Sequence, residues 1–199
     1  MSKKQVCFCE YLPNGGQKDE RTYPLQGNHK PTVTGKRNIP ESGRIILAGN
    51  HTNYFDCLLV ACATKRCVHY LAKDELMKGP LGFVFKGLGI IPVNRRTKDR
   101  AAYLSALETL RDEKMIGIFP EGTINRTDDV IMPFKFGAVK MARETDTKII
   151  PFAITGKYKP FERSVKITFF EPIEPEENLE AANEKLMKIV SDKLIKEGK

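Results

Sequence analysis

The chain lacks any apolar run long enough to cross a bilayer. Its longest, LGFVFKGLGIIPV over residues 81–93, is broken by Lys86 and falls short of the roughly 20 residues that a spanning helix needs. Disulfide patterning is missing too. The five cysteines show no framework spacing, and nothing in the first residues resembles a secretory signal, so a reducing cytosolic setting is the expectation. Cys57, Cys62 and Cys67 recur every five residues. That step turns a helix by about 140°, so the three share no face and make no metal set; they read as small buried hydrophobes or free thiols. A Gly-x-Ser-x-Gly elbow is also absent, which disfavours a serine hydrolase. No helix-turn-helix, zinc-finger or aromatic-basic RNA signature accompanies the positive charge, which argues against nucleic acid.

What is present is an ordinary globular composition, 41% hydrophobic and 29% charged over 199 residues. A single domain of that size buries about 70% of its unfolded surface. Residues 1–30 are polar and rich in turn formers, and read as a loosely ordered arm ahead of a domain over residues 31–199. From residue 32 short apolar runs alternate with helical patterns. Strands are expected at 32–35, 44–49, 67–72, 90–93, 115–119, 148–154 and 164–170. Helices are expected at 54–64, 74–88, 99–113, 135–145 and 178–196. This pattern predicts an α/β fold, a mixed and largely parallel sheet wrapped by helices.

The net charge of +8 is uneven. Residues 65–100 hold nine basic side chains against three acidic ones, interleaved with Met77, Leu81, Phe83, Val84, Phe85 and Leu88. A basic region mixed with large apolar residues suits an anionic membrane surface; a solvated helix face over the core is the alternative.

Two motifs carry chemistry. NHTNYFD, residues 50–56, places His51 five residues before Asp56, directly after the apolar run RIILAG. A histidine whose ordinary pKa is near 6.5 suits a general base, and a carboxylate on its far nitrogen would fix the tautomer. Asn53 and Asp56 also have capping-box spacing, so helix capping alone could account for Asp56. The second motif, FPEGT at 119–123, ends the apolar run MIGIF. Gly122 permits close backbone approach, amide N–H groups of such a turn bind anions, and Thr123 adds a hydroxyl. A carboxylate repels phosphate, so Glu121 is expected to orient a basic residue or a glycerol hydroxyl.

These motifs, with GIIPVNR at 89–95 and IIPFAI at 149–154, resemble the four ordered blocks of the lysophospholipid and glycerolphosphate acyltransferase superfamily, and within it the 1-acylglycerol-3-phosphate acyltransferases. The resemblance runs from about residue 32 to the C-terminus. It implies direct transfer of a fatty acyl group, from acyl-carrier protein or acyl-CoA as co-substrate, to the sn-2 hydroxyl of 1-acylglycerol 3-phosphate, giving phosphatidate. Another acceptor, such as glycerol 3-phosphate or another lysophospholipid, and a non-catalytic lipid-binding relative are the alternatives. It implies His51 and Asp56 as catalytic residues, Arg95 with Glu121, Gly122 and Thr123 at the acceptor phosphate, and no metal or cofactor. The basic stretch over 65–100 and the lack of a spanning run give the expectation of a peripheral position on the cytoplasmic face of a membrane. One position departs from the family pattern: Ile124 stands where arginine often follows the third block. Arg126 or Lys135 is expected to assist Arg95 there.

Overall fold

The computed structural model describes residues 31–73, 90–93, 100–158 and 165–198. The expected arm over 1–30, the helical stretch 74–88 and Arg95 lie outside the described residues.

Among the described residues seven strands make one sheet: β1 (Thr32–Thr34), β2 (Ile45–Gly49), β3 (Val68–Lys73), β4 (Ile91–Val93), β5 (Met115–Ile118), β6 (Ile149–Thr155) and β7 (Lys166–Phe169). Their spatial order is β1-β7-β6-β2-β5-β3-β4. Every pairing is parallel except β6 with β7, so the mixed, largely parallel sheet expected from the sequence is present. The central strand β2 runs between β5 and β6, with Ala48 opposite both Ile118 and Pro151. All five of its residues are buried, which is why IILAG is a continuous apolar run: a strand covered on both faces has no polar side.

The α-helices among the described residues are α1 (Asp56–Ala63), α2 (Arg100–Arg111), α3 (Gly137–Thr145) and α4 (Leu179–Lys196). Alternate residues of β2 feed two cores, as the period of two requires. Ile46 and Ala48 join Ala106 and Leu110 of α2, Met141 and Ala142 of α3, and Leu186, Val190 and Leu194 of α4. Ile45 and Leu47 face the other way, with Leu59, Val60 and Ala63 of α1 and with Phe152, Ile167 and Phe169. The last helix starts cleanly because Asn178 Oδ1 accepts from Ala181 N at 3.0 Å, satisfying one of the free N–H groups of its first turn.

The first helix begins two residues later than the sequence suggests. Its N-cap is Phe55, without a side-chain cap bond. Asn53 Oδ1 instead accepts from Phe55 N at 3.1 Å, an Asx turn that shapes the loop ahead of the helix. Helical geometry is entered only at Phe55, whose carbonyl accepts from Leu59 N at 2.9 Å.

Candidate active site

In open α/β sheets, ligands bind outside the carboxyl ends of the strands. Here β2 ends at Gly49 and β5 at Ile118, side by side and parallel, so His51 and the PEGT turn emerge from adjacent strand ends. Gly49 is required by the packing. A Cβ there would stand 2.1 Å from the carbonyl oxygen of Phe152, so only glycine lets β2 lie this close to β6. Asn50 then bridges to β6 with its whole amide: Nδ2 donates to Ile154 O at 2.9 Å and Oδ1 accepts from Ile154 N at 2.8 Å. This side chain continues the ladder one residue beyond the strand and fixes where His51 begins.

The backbone of His51 is held by the other motif. Its N–H donates to Glu121 Oε1 at 2.7 Å, and its carbonyl accepts from Asn125 N at 2.9 Å. Glu121 is almost fully buried, and its second oxygen accepts from Met132 N at 2.9 Å. Each oxygen of the carboxylate thus accepts one backbone amide. Its described bonds make it a clamp that joins the two motifs.

The imidazole is held on two sides. It stacks on Phe119 with centroids 4.1 Å apart and planes at 19°. Phe119 in turn lies parallel to Tyr70, at 6.2 Å and 9°, and edge-on to Phe152. Nδ1 of His51 lies 2.9 Å from Asp56 Oδ2. The same oxygen accepts from Thr52 N at 2.6 Å and Asn53 N at 2.8 Å. Asp56 is fully buried. Orientation and helix-start satisfaction are therefore one arrangement, performed by one oxygen. A carboxylate on Nδ1 makes that nitrogen the protonated one and leaves Nε2 as the basic nitrogen.

A further donor to Asp56 was not visible in the sequence. Tyr158, beyond β6, donates from its hydroxyl to Asp56 Oδ1 at 2.6 Å. Burial first, and the neighbouring Asp56 carboxylate second, hold the Tyr158 phenol protonated far above the usual tyrosine range. Burial, reinforced by Asp56, likewise pushes the Cys57 thiol up to about 12, so it makes no nucleophile at neutral pH. Cys57, Cys62 and Cys67 are free thiols. His69 is a core residue, with Nδ1 3.2 Å from Met115 O. Among the described residues no group of three or more His, Cys, Asp or Glu could hold a metal ion.

At the turn, Gly122 has φ +75°, and a Cβ there would lie 2.5 Å from Lys135 Nζ. Lys135 is tied by its backbone N–H to Pro120 O at 2.9 Å. Its ammonium therefore lies over the turn, while Thr123 is exposed beside it. Arg126 goes elsewhere: its Nη2 donates to Tyr54 Oη at 3.1 Å, on the exposed rim of the His51 loop. The structure thus assembles His51, Asp56, Glu121, Gly122 and Lys135, and sets Arg126 at their edge. Of the residues to which the sequence reading gave no role, Asn50 and Phe119 are the first residues of its two motifs. Tyr158 has no such signal, standing 102 positions from Asp56.

Comparison with known proteins agrees with this architecture. Residues 30–155 match the family model described as Acyltransferase, and the chain belongs to that family. Among curated proteins it is 39% identical, over 128 residues, to the 1-acyl-sn-glycerol-3-phosphate acyltransferase of Borreliella burgdorferi, covering 63% of this chain and 51% of that one. It is 28% identical over 134 residues to the Bacillus subtilis protein of the same name, covering 66% and 65%. The chain thus spans about half to two thirds of the length of these relatives. Its fold is similar to the crystal structure of the 1-acyl-sn-glycerophosphate (LPA) acyltransferase PlsC from Thermotoga maritima. The TM-score is 0.70 at 23% identity, over 84% of this chain and 72% of that one.

Proposed function

We propose that this protein transfers a fatty acyl group from an acyl-carrier-protein or coenzyme A thioester to the sn-2 hydroxyl of 1-acylglycerol 3-phosphate. The observation that carries the reading is the 2.9 Å contact between His51 Nδ1 and the buried carboxylate of Asp56. With Nδ1 so engaged, Nε2 accepts the proton of the acceptor hydroxyl as its oxygen attacks the thioester carbonyl. The tetrahedral intermediate collapses by expelling the thiolate, which takes the proton back from the imidazolium. Asp56 stabilises that imidazolium. No covalent enzyme intermediate is required, and no cofactor enters.

The acceptor phosphate would meet the PEGT turn, with Lys135 over Gly122 and Arg95 as a bidentate partner. The relatives carrying the 1-acyl-sn-glycerol-3-phosphate name support this acceptor over glycerol 3-phosphate or another lysophospholipid. Attachment to the cytoplasmic face of a membrane would be peripheral. No helix among the described residues is long and apolar enough to cross one, and Tyr54 and Phe55, beside the site, expose 71% and 54% of their surface.

The test is thiol release from acyl donors in the presence of a panel of phosphate-bearing acceptors. His51→Ala should lower turnover by about 10²–10⁴-fold, the usual contribution of a general base. Retention of more than about a tenth of wild-type turnover would remove His51 from that role. Arg95→Ala should raise the acceptor KM about 10- to 150-fold, the equivalent of one charge-assisted pair, with little change for the donor. An equal effect on both substrates would count against a phosphate contact.

A further inference from the structure

We propose that Tyr158 is a positioning residue for the acyl transfer, its hydroxyl holding the Asp56 carboxylate in the rotation that presents Oδ2 to His51. The proposal rests on the catalytic reading of His51 and Asp56. A carboxylate rotates about its terminal torsion in a broad, nearly two-fold well. Its two oxygens are equivalent, so what the surrounding donors set is the tilt of the carboxylate plane toward the imidazole. Oδ2 takes Thr52 N, Asn53 N and His51 Nδ1. The other side-chain neighbour, Thr52 Oγ1, stands 3.3 Å from Oδ1 and 3.4 Å from Oδ2, a long, shared contact that holds the plane weakly. Tyr158 anchors the oxygen that faces away from His51, at 2.6 Å to Oδ1, and so fixes the plane. Its ring rests against Phe55, centroids 6.1 Å apart, so the hydroxyl is delivered from a packed ring. The phenol stays protonated across the working pH range and is a permanent donor.

The titratable groups facing this pair are His51 from the loop after β2, Cys57 of α1, Tyr70 of β3, whose hydroxyl donates to Cys57 O at 2.8 Å, and Glu121 from the turn after β5. None of these is a second donor to Oδ1 among the bonds described. Removing the phenol would leave Asp56 with more charge to offer the imidazolium, and would also let the carboxyl take up a proton more readily. Both changes act in one direction. The competent form, neutral His51 beside ionised Asp56, would be lost at a higher pH on acidification.

Tyr158→Phe keeps the ring and removes the hydroxyl. It should lower kcat/KM by about 10- to 100-fold, the range for a hydrogen bond to a charged group, and move the acidic limb of the kcat/KM–pH profile upward. Tyr158→Leu removes the ring as well; it should lose thermal stability in addition, yet shift the limb equally. A readout independent of the acceptor is the ¹⁵N spectrum of the His51 ring nitrogens. The wild type should show the Nδ1–H tautomer, and Tyr158→Phe a mixture. Loss of activity at all pH with the limb and the tautomer unmoved would overturn the proposal and make Tyr158 a packing residue. Unchanged activity with an unchanged tautomer would overturn it equally. Should the wild-type protein acylate none of the acceptors, the proposed function would fall, while the tautomer measurement would still decide the role of Tyr158.

Discussion

At the scale of single residues, the site shows how few side chains decide its geometry. Glu121 is the clearest case: a buried carboxylate whose two oxygens each accept a backbone N–H, one from His51 and one from Met132. Glu121→Gln leaves one of those amides facing an NH2 group. The loss of a charged acceptor costs about 1.5–3 kcal/mol. For a domain of this length that lowers the melting temperature by about 3–12 °C. Turnover should fall with it, because His51 rides on that bond; scanning calorimetry and the thiol-release assay check both. Cys57 gives a pH test. With its thiol pushed up to about 12 by burial and by Asp56, it should alkylate with iodoacetamide at pH 8 about a hundredfold more slowly in the folded protein than in urea, since the thiolate is the nucleophile. The raised value also has a sign for stability. The Cys57 contribution is complete below the unfolded thiol's pKa of about 8.5, and is lost as pH climbs toward the folded value of about 12.

At the scale of elements, the site depends on how closely three strands approach. The end of β2 is held to β6 by Asn50 and admitted by Gly49, whose absent Cβ would otherwise stand 2.1 Å from Phe152 O. The obstacle is backbone, which cannot swing away. Gly49→Ala should therefore destabilise the fold by about 1–3 kcal/mol, as overpacking of a filled core does. It should also reduce turnover beyond what the lower melting temperature explains, because the strain lies two residues before His51. Urea denaturation with parallel assays separates the two effects. Equal turnover in the folded fraction would show that His51 is insulated from strand spacing. The strands and helices themselves were legible from periodicity. β2, β5 and β6 are short apolar runs, and α3 and α4 repeat buried residues at helical spacing. The start of α1 was not, because Asn53 bonds forward to Phe55 and Asp56 backward to Asn53, and that choice depends on where His51 already sits.

At the scale of the molecule, charge and exposed aromatics define how the protein would meet its substrate. A long-chain acceptor resides in a bilayer, the net charge is +8, and Tyr54 and Phe55 project beside His51. Binding to anionic vesicles should weaken steeply with salt, since exposed charges are screened beyond about 8–10 Å at physiological ionic strength. Replacing Lys73, Lys78 and Lys86 together by glutamate should reduce vesicle binding and activity on vesicle-borne acceptor, and spare activity on a short-chain soluble one. Cosedimentation that ignores salt, or an equal loss on both acceptors, would return the basic stretch to the role of a solvated surface.

The order of residues by itself determined the fold class and the two motifs, because both are written in local terms: apolar runs of strand length, helical periodicity, a histidine five residues before a carboxylate, and a glycine in a strand-end turn. Tertiary structure alone decided which groups complete the site. Glu121 reaches His51 across 70 positions and Tyr158 reaches Asp56 across 102, and no local pattern encodes such pairs. They exist because parallel pairing sets the ends of β2 and β5 side by side with β6 against β2, so that buried oxygens find donors from distant parts of the chain.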